Sequence, residues 1–180
     1  VQQEQFHTKN IKKRISSLGG IKMNNRIKIY TDGACSNNQS NENKGGYGAI
    51  LFKQGEQPLT LNGGFRNTTN NRMELKAAIE ALKRIHSSSP VTVYSDSQYV
   101  VKGITEWIPN WIAKGKIEKN GDLWMELYKI VMTFQDIQFM HVKGHNGNIY
   151  NEEADRLATM ACNYPNLPID IEIPYSTYGL

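Results

Sequence analysis

Cysteine is scarce in this chain: Cys35 and Cys162 are the only two among 180 residues. They form no CxxC pair, and their number does not suit a secreted disulfide scaffold. Both read as free thiols in a reducing, cytoplasmic compartment. Long apolar runs are absent too, and none approaches the roughly 20 residues that span a bilayer. The N-terminus is polar and lacks the apolar stretch of a signal peptide. There is no internal repeat and no low-complexity tract. Hydrophobic residues make up 39% of the chain. That content and length suit one soluble domain with a formed core. Nothing calls for an obligate dimer, and a monomer is expected.

The net charge is +4, but most of the chain has no basic excess. Residues 1–30 hold seven Lys or Arg and one acid, a balance of +6. The remaining residues hold fourteen basic and sixteen acidic side chains, a balance of −2. Binding to phosphates must therefore come from local placement of cations. Residues 1–22 carry the basic run Lys9 to Arg14 and a linker-like Ser16 to Gly20. They read as a flexible or artificial tail, with a basic arm that holds nucleic acid as the alternative. Met23 stands where a natural start would. Residues 23–163 read as the folded domain, and 164–180 as a C-terminal tail broken by Pro165 and Pro168.

Alternation of Ile27 and Ile29 predicts a strand over 26–32. A turn-rich stretch follows over 33–46, then strands over 47–52 and 59–65. Met73, Ala77, Ala78, Ala81, Leu82 and Ile85 recur at helical spacing and predict a helix over 70–85. Further strands are expected over 91–96 and 137–142, and helices over 98–104, 122–134 and 149–162. Residues 107–121 read as irregular. The order β-β-β-α-β-α-α-β-α predicts an α/β fold: one mixed sheet, an antiparallel meander plus parallel strands, flanked by helices.

Four acids stand out by position. Asp32 and Asp96 each close a strand, where α/β sheets gather ligands. Glu74 and Asp155 each lie early in a helix. Taken singly, such acids are often caps or partners of the helix dipole. Taken together, they repel one another unless cations neutralise them. All-oxygen donors without cysteine suit Mg²⁺ or Mn²⁺. Two such ions can activate water and stabilise the leaving oxygen in phosphodiester cleavage.

The segments Ile29 to Cys35, Thr68 to Leu75, Tyr94 to Val100, Val142 to His145 and Asn151 to Asp155 resemble, in order and near spacing, the motifs of type 1 ribonuclease H. The likeness runs from about Arg26 to Cys162. It implies the ribonuclease H-like fold with a five-stranded sheet. It also implies an endonuclease that hydrolyses the RNA strand of RNA–DNA hybrids, leaving 5′-phosphate and 3′-hydroxyl ends. Asp32, Glu74, Asp96 and Asp155 match the carboxylates that hold two Mg²⁺ ions, with Mn²⁺ able to substitute. His145 matches a mobile-loop histidine that aids proton transfer and product release. Asn151 matches a position near the metals.

The resemblance also supplies the substrate side. Asn38, Asn70, Asn71 and Gln98 match positions facing the minor groove, where a 2′-hydroxyl can be sensed. Cys35 falls beside the RNA. Thr69 and Asn120 resemble a pocket gripping a DNA phosphate, although Asn67 stands where that pocket often has an Arg. Trp107 and Trp111, with Lys114, Lys116 and Lys119, resemble a shortened basic protrusion that meets the DNA. Asn70 also reads as a helix cap, and the tryptophans as core residues. Three other readings stay open: another nuclease of the fold such as an integrase or resolvase, a domain of a reverse transcriptase, and a non-catalytic hybrid-binding module. The last would be expected to lack a carboxylate, and none is missing.

Overall fold

Ile27 and Ile29 are buried on one side of the first strand, as an alternating pattern requires. In the computed structural model, which describes residues 25–36, 43–115, 117, 119–144 and 147–174, that strand is the centre of a five-stranded sheet. The elements are β1 (Ile27–Cys35), β2 (Lys44–Phe52), β3 (Leu59–Arg66), α1 (Asn70–Leu82), β4 (Val91–Ser95), α2 (Gln98–Lys102), a π-helical turn (Gly103–Trp107), α3 (Ile108–Lys114), α4 (Gly121–Thr133), β5 (Ile137–His141) and α5 (Ile149–Cys162). The sheet order is β3-β2-β1-β4-β5. The β1–β2 and β2–β3 pairs are antiparallel, and the β1–β4 and β4–β5 pairs are parallel. This is the mixed sheet that the element order predicts.

The main core joins β1 and β4 to α1 and α4. Leu75, Ile79 and Leu82 of α1 and Trp124 and Leu127 of α4 are fully buried against Ile29, Val91 and Val93. Each such side chain contributes about 1.5–3 kcal/mol by leaving water. The other face of the meander is covered by α5. Gly48 makes that close packing feasible, because a Cβ there would lie 2.2 Å from the Ala154 carbonyl oxygen. No helix among the described residues is long and apolar enough to cross a membrane.

Apart from helix ends drawn in to Leu82 for α1 and Lys102 for α2, the structure departs from the sequence reading in three places. First, β1 and β2 extend to Cys35 and start at Lys44, with Cys35 paired to Gly45. Glycines 45 and 46, which read as turn residues, lie inside β2 because helices pack closely over them. Second, residues 108–114, expected to be irregular, form α3. The π-helical turn before it breaks the apolar period, and Pro109 sits in its first turn, where a missing N–H costs nothing. Third, the described part of the C-terminal segment is packed. The Arg66 N–H donates to the Pro168 carbonyl and the Asp170 N–H to the Arg66 carbonyl, each at 2.8 Å. Leu167 and Asp170 are buried.

Asp170 belongs to an ion network that the sequence reading missed. Arg72 donates from Nε to Asp170 Oδ2 at 2.6 Å, and from Nη1 and Nη2 to Asp122 Oδ1 and Oδ2 at 2.9 and 2.8 Å. Thr68 donates to Asp170 Oδ2 at 2.6 Å. The C-terminal segment, α1 and α4 are thereby locked together, and α1 is the helix that carries Glu74.

Candidate metal and nucleic-acid site

The parallel register pairs Thr31 with Ser95. The next residue of each chain is an acid, so Asp32 and Asp96 emerge side by side at the same end of the sheet. Glu74 is brought to them by close packing of α1 on β1. A Cβ at Gly33 would lie 2.4 Å from the Glu74 backbone nitrogen, so only glycine admits this approach. Asp32, Glu74 and Asp96 each offer a carboxylate oxygen, and these atoms all lie within 4.8 Å of one another. Asp155, half-buried on α5, stands outside this tight group, but its charge acts on Asp32.

The electrostatics are those of crowded acids. Burial first, then the charges of Asp96 and Asp155, push the Asp32 carboxyl up to about 8, against the Gly33 N–H that donates to its Oδ1 at 2.7 Å. Burial and the charges of Asp32 and Asp96 push Glu74 well above the ordinary carboxylate range. Glu74 Oε1 accepts from the Asn70 amide at 3.4 Å, while buried Oε2 has no partner. A buried carboxylate oxygen left unpaired is costly. A hard divalent cation suits this oxygen-only set and removes both penalties.

Two more groups brace Asp96. Asn151, buried in the first turn of α5, donates its amide to Asp96 Oδ2 at 3.2 Å. His141 Nε2 lies 3.0 Å from the Asp96 carbonyl oxygen. The family resemblance marked Asn151, but neither it nor the local pattern pointed to His141, because the parallel register that places it opposite Ser95 is not written in local pattern.

The substrate positions divide into several groups. Thr69, not Asn70, is the N-cap of α1: its hydroxyl accepts from the Arg72 N–H at 3.3 Å. Asn70 is the first helical residue and serves Glu74. Cys35 is half-buried, with Sγ 3.8 Å from the Thr68 carbonyl oxygen. Gln98 is exposed at the start of α2. Asn71 and Asn120 share a groove of about 520 Å³ with Tyr99, Trp111, Lys114 and Lys119. Trp107 is half-buried, its ring 5.9 Å from Tyr99 and 5.7 Å from Trp111. Tyr99 ties the groove together, because its hydroxyl accepts from Trp124 Nε1 at 2.9 Å and Asn120 Nδ2 at 3.0 Å. Arg66, the residue before Asn67, donates from Nε to the Leu167 carbonyl at 2.8 Å. Asn38, Lys116 and His145 lie outside the described residues.

Comparison with known proteins shows the family. The RNase H family model matches residues 24–163. A ribonuclease H of Hahella chejuensis is 49% identical over 140 residues, covering 74% of this chain and 91% of that protein. One of Ehrlichia ruminantium is 48% identical over 141 residues, covering 74% and 92%. Among solved structures, LC9-RNase H1, a type 1 RNase H with the type 2 active-site motif, aligns with a TM-score of 0.67. That alignment has 26% identity over 88% of this chain and 82% of the other. With a family match over most of its length and relatives near half identical, the chain belongs to the ribonuclease H family of enzymes.

Proposed function

We propose that this chain is an endonuclease that hydrolyses the RNA strand of RNA–DNA hybrids, with residues 23–163 as its catalytic domain. The observation that carries the reading is the group of Asp32, Glu74 and Asp96, with carboxylate oxygens within 4.8 Å of one another. In this reading those three and Asp155 hold two Mg²⁺ ions. Bound there, the ions supply an activated water and stabilisation of the leaving 3′ oxygen. Asn151 keeps Asp96 oriented toward the group. His145 assists proton transfer and departure of product.

The same reading assigns the rest of the surface. Asn38, Asn70, Asn71 and Gln98 face the minor groove of the hybrid, where amides sense 2′-hydroxyls, and Cys35 lies beside the RNA. Thr69 and Asn120 grip a phosphate of the DNA strand. Trp107, with Lys114 and Lys119, meets the DNA beyond it. The chemistry uses water as nucleophile and not the RNA 2′-hydroxyl. Products should therefore carry 5′-phosphate and 3′-hydroxyl ends, which end-labelling and mass spectrometry of a cleaved hybrid read directly. Products ending in 2′,3′-cyclic phosphate would overturn this mechanism.

A further inference from the structure

The C-terminal segment runs from the end of β3 to the start of α4. It is pinned midway by Asp170, buried against Arg72 and Thr68. Two residues on, Glu172 is exposed, and its Oε1 accepts the backbone N–H of Asn120 at 2.9 Å. The other polar groups of Asn120 are engaged as well: Nδ2 donates to the Tyr99 hydroxyl at 3.0 Å, and Oδ1 lies 3.5 Å from Arg72 Nη1. The backbone N–H is the one held by a surface carboxylate, at the mouth of a helix whose dipole favours anions. Exposed Lys114 and Lys119 line the groove beside it. A carboxylate oxygen and a phosphodiester oxygen ask for the same donors and the same cations.

We propose that Glu172 is a built-in competitor for the DNA phosphate at Asn120. The inference rests on the phosphate-gripping role given above to Thr69 and Asn120. A hybrid must displace the Glu172 carboxylate before its phosphate can take the Asn120 N–H, and the acid also opposes the approach of the strand. Asp170 keeps the segment docked, so displacement needs only the exposed residues after it to move. The device weakens hybrid binding and favours release of cleaved strands.

The test uses the full chain and a short RNA–DNA hybrid in Ca²⁺, with affinity read by fluorescence anisotropy across a salt series. Glu172→Gln keeps an acceptor oxygen and removes the charge, while Glu172→Ala removes both. Both variants should bind roughly fivefold more tightly at low salt, and the gain should shrink as salt rises. A scan of single methylphosphonate linkages along the DNA strand then locates the gripped phosphate. Neutralising that linkage should cost the variants more than the wild type. Unchanged affinity, or an equal penalty in all three proteins, would overturn the competitor role and leave the phosphate grip standing. Weaker binding together with a lower melting temperature would overturn it in favour of a helix-capping role. If no linkage is sensitive in any protein, the grip itself is wrong and the proposal falls with it.

Discussion

Asn151 donates its side-chain amide to Asp96 Oδ2 at 3.2 Å, so the first turn of α5 holds the acid that follows β4. Its other amide atom, Oδ1, is buried without a partner. Such an oriented ligand typically loses about 10–100-fold in metal affinity or rate when its support is removed. Asn151→Ala should therefore raise the Mg²⁺ concentration for half-maximal cleavage by about that range. Its melting temperature should change little, since the variant also loses an unpaired oxygen. A Mg²⁺ titration matching the wild type would show that Asp96 needs no such brace.

Asp32 gives the opposite pairing of effects. Its charge opposes those of Asp96 and Asp155. Asp32→Asn keeps the shape and removes the repulsion. Cleavage should vanish while hybrid binding in Ca²⁺ stays largely intact. The melting temperature in EDTA should hold or rise. A large drop in stability would make Asp32 a structural residue.

Asp170 sets an acid limit on stability. Burial alone would raise its carboxyl, but the hydrogen bonds from Arg72 and Thr68 and the charges of Lys76 and Arg72 outweigh burial and hold it below the usual range. A depressed folded pKa adds stability that is complete above about pH 4 and is lost as pH falls through the folded value. Asp170→Asn should cost about 3 kcal/mol near neutral pH, as breaking a buried ion pair does. It should also flatten the fall in stability between about pH 5 and about pH 2. Urea midpoints across that range check both, and an unchanged acid slope would place the sensitivity elsewhere.

The strands and helices that bury one regular face were legible in the sequence. Ile27 and Ile29 announce β1, and the α5 reading over 149–162 agrees with the structure residue for residue. The acids were legible as candidates because Asp32 and Asp96 each follow a short apolar run; Asp96 does follow the end of β4, whereas Asp32 lies within β1, paired with Gly48, and the parallel register sets the two together. What local pattern did not carry was long-range pairing. Arg72 meets Asp170 across 98 residues and Asp122 across 50. His141 reaches Asp96 only through the β4–β5 register. The π-helical turn over Gly103–Trp107 shifts the apolar period and hid α3.

His145 is expected to assist and not to hold metal. General acid–base help is typically worth about 10²–10⁴-fold. His145→Ala should keep measurable activity and a normal Mg²⁺ response, with the loss mainly in turnover, whereas Asp96→Asn should leave essentially none. Steady-state kinetics on a short hybrid separate the two. A His145→Ala enzyme as dead as Asp96→Asn would move the histidine into the metal site.

The most direct measurement offers one labelled sequence as RNA–DNA hybrid, double-stranded RNA and double-stranded DNA, each with Mg²⁺ and with EDTA, to the wild type and to Asp32→Asn. The wild type should cut only the RNA strand of the hybrid and only with Mg²⁺, and the variant should cut nothing. Cleavage that persists in EDTA or in Asp32→Asn, or a hybrid left intact by the wild type, would contradict the proposed function.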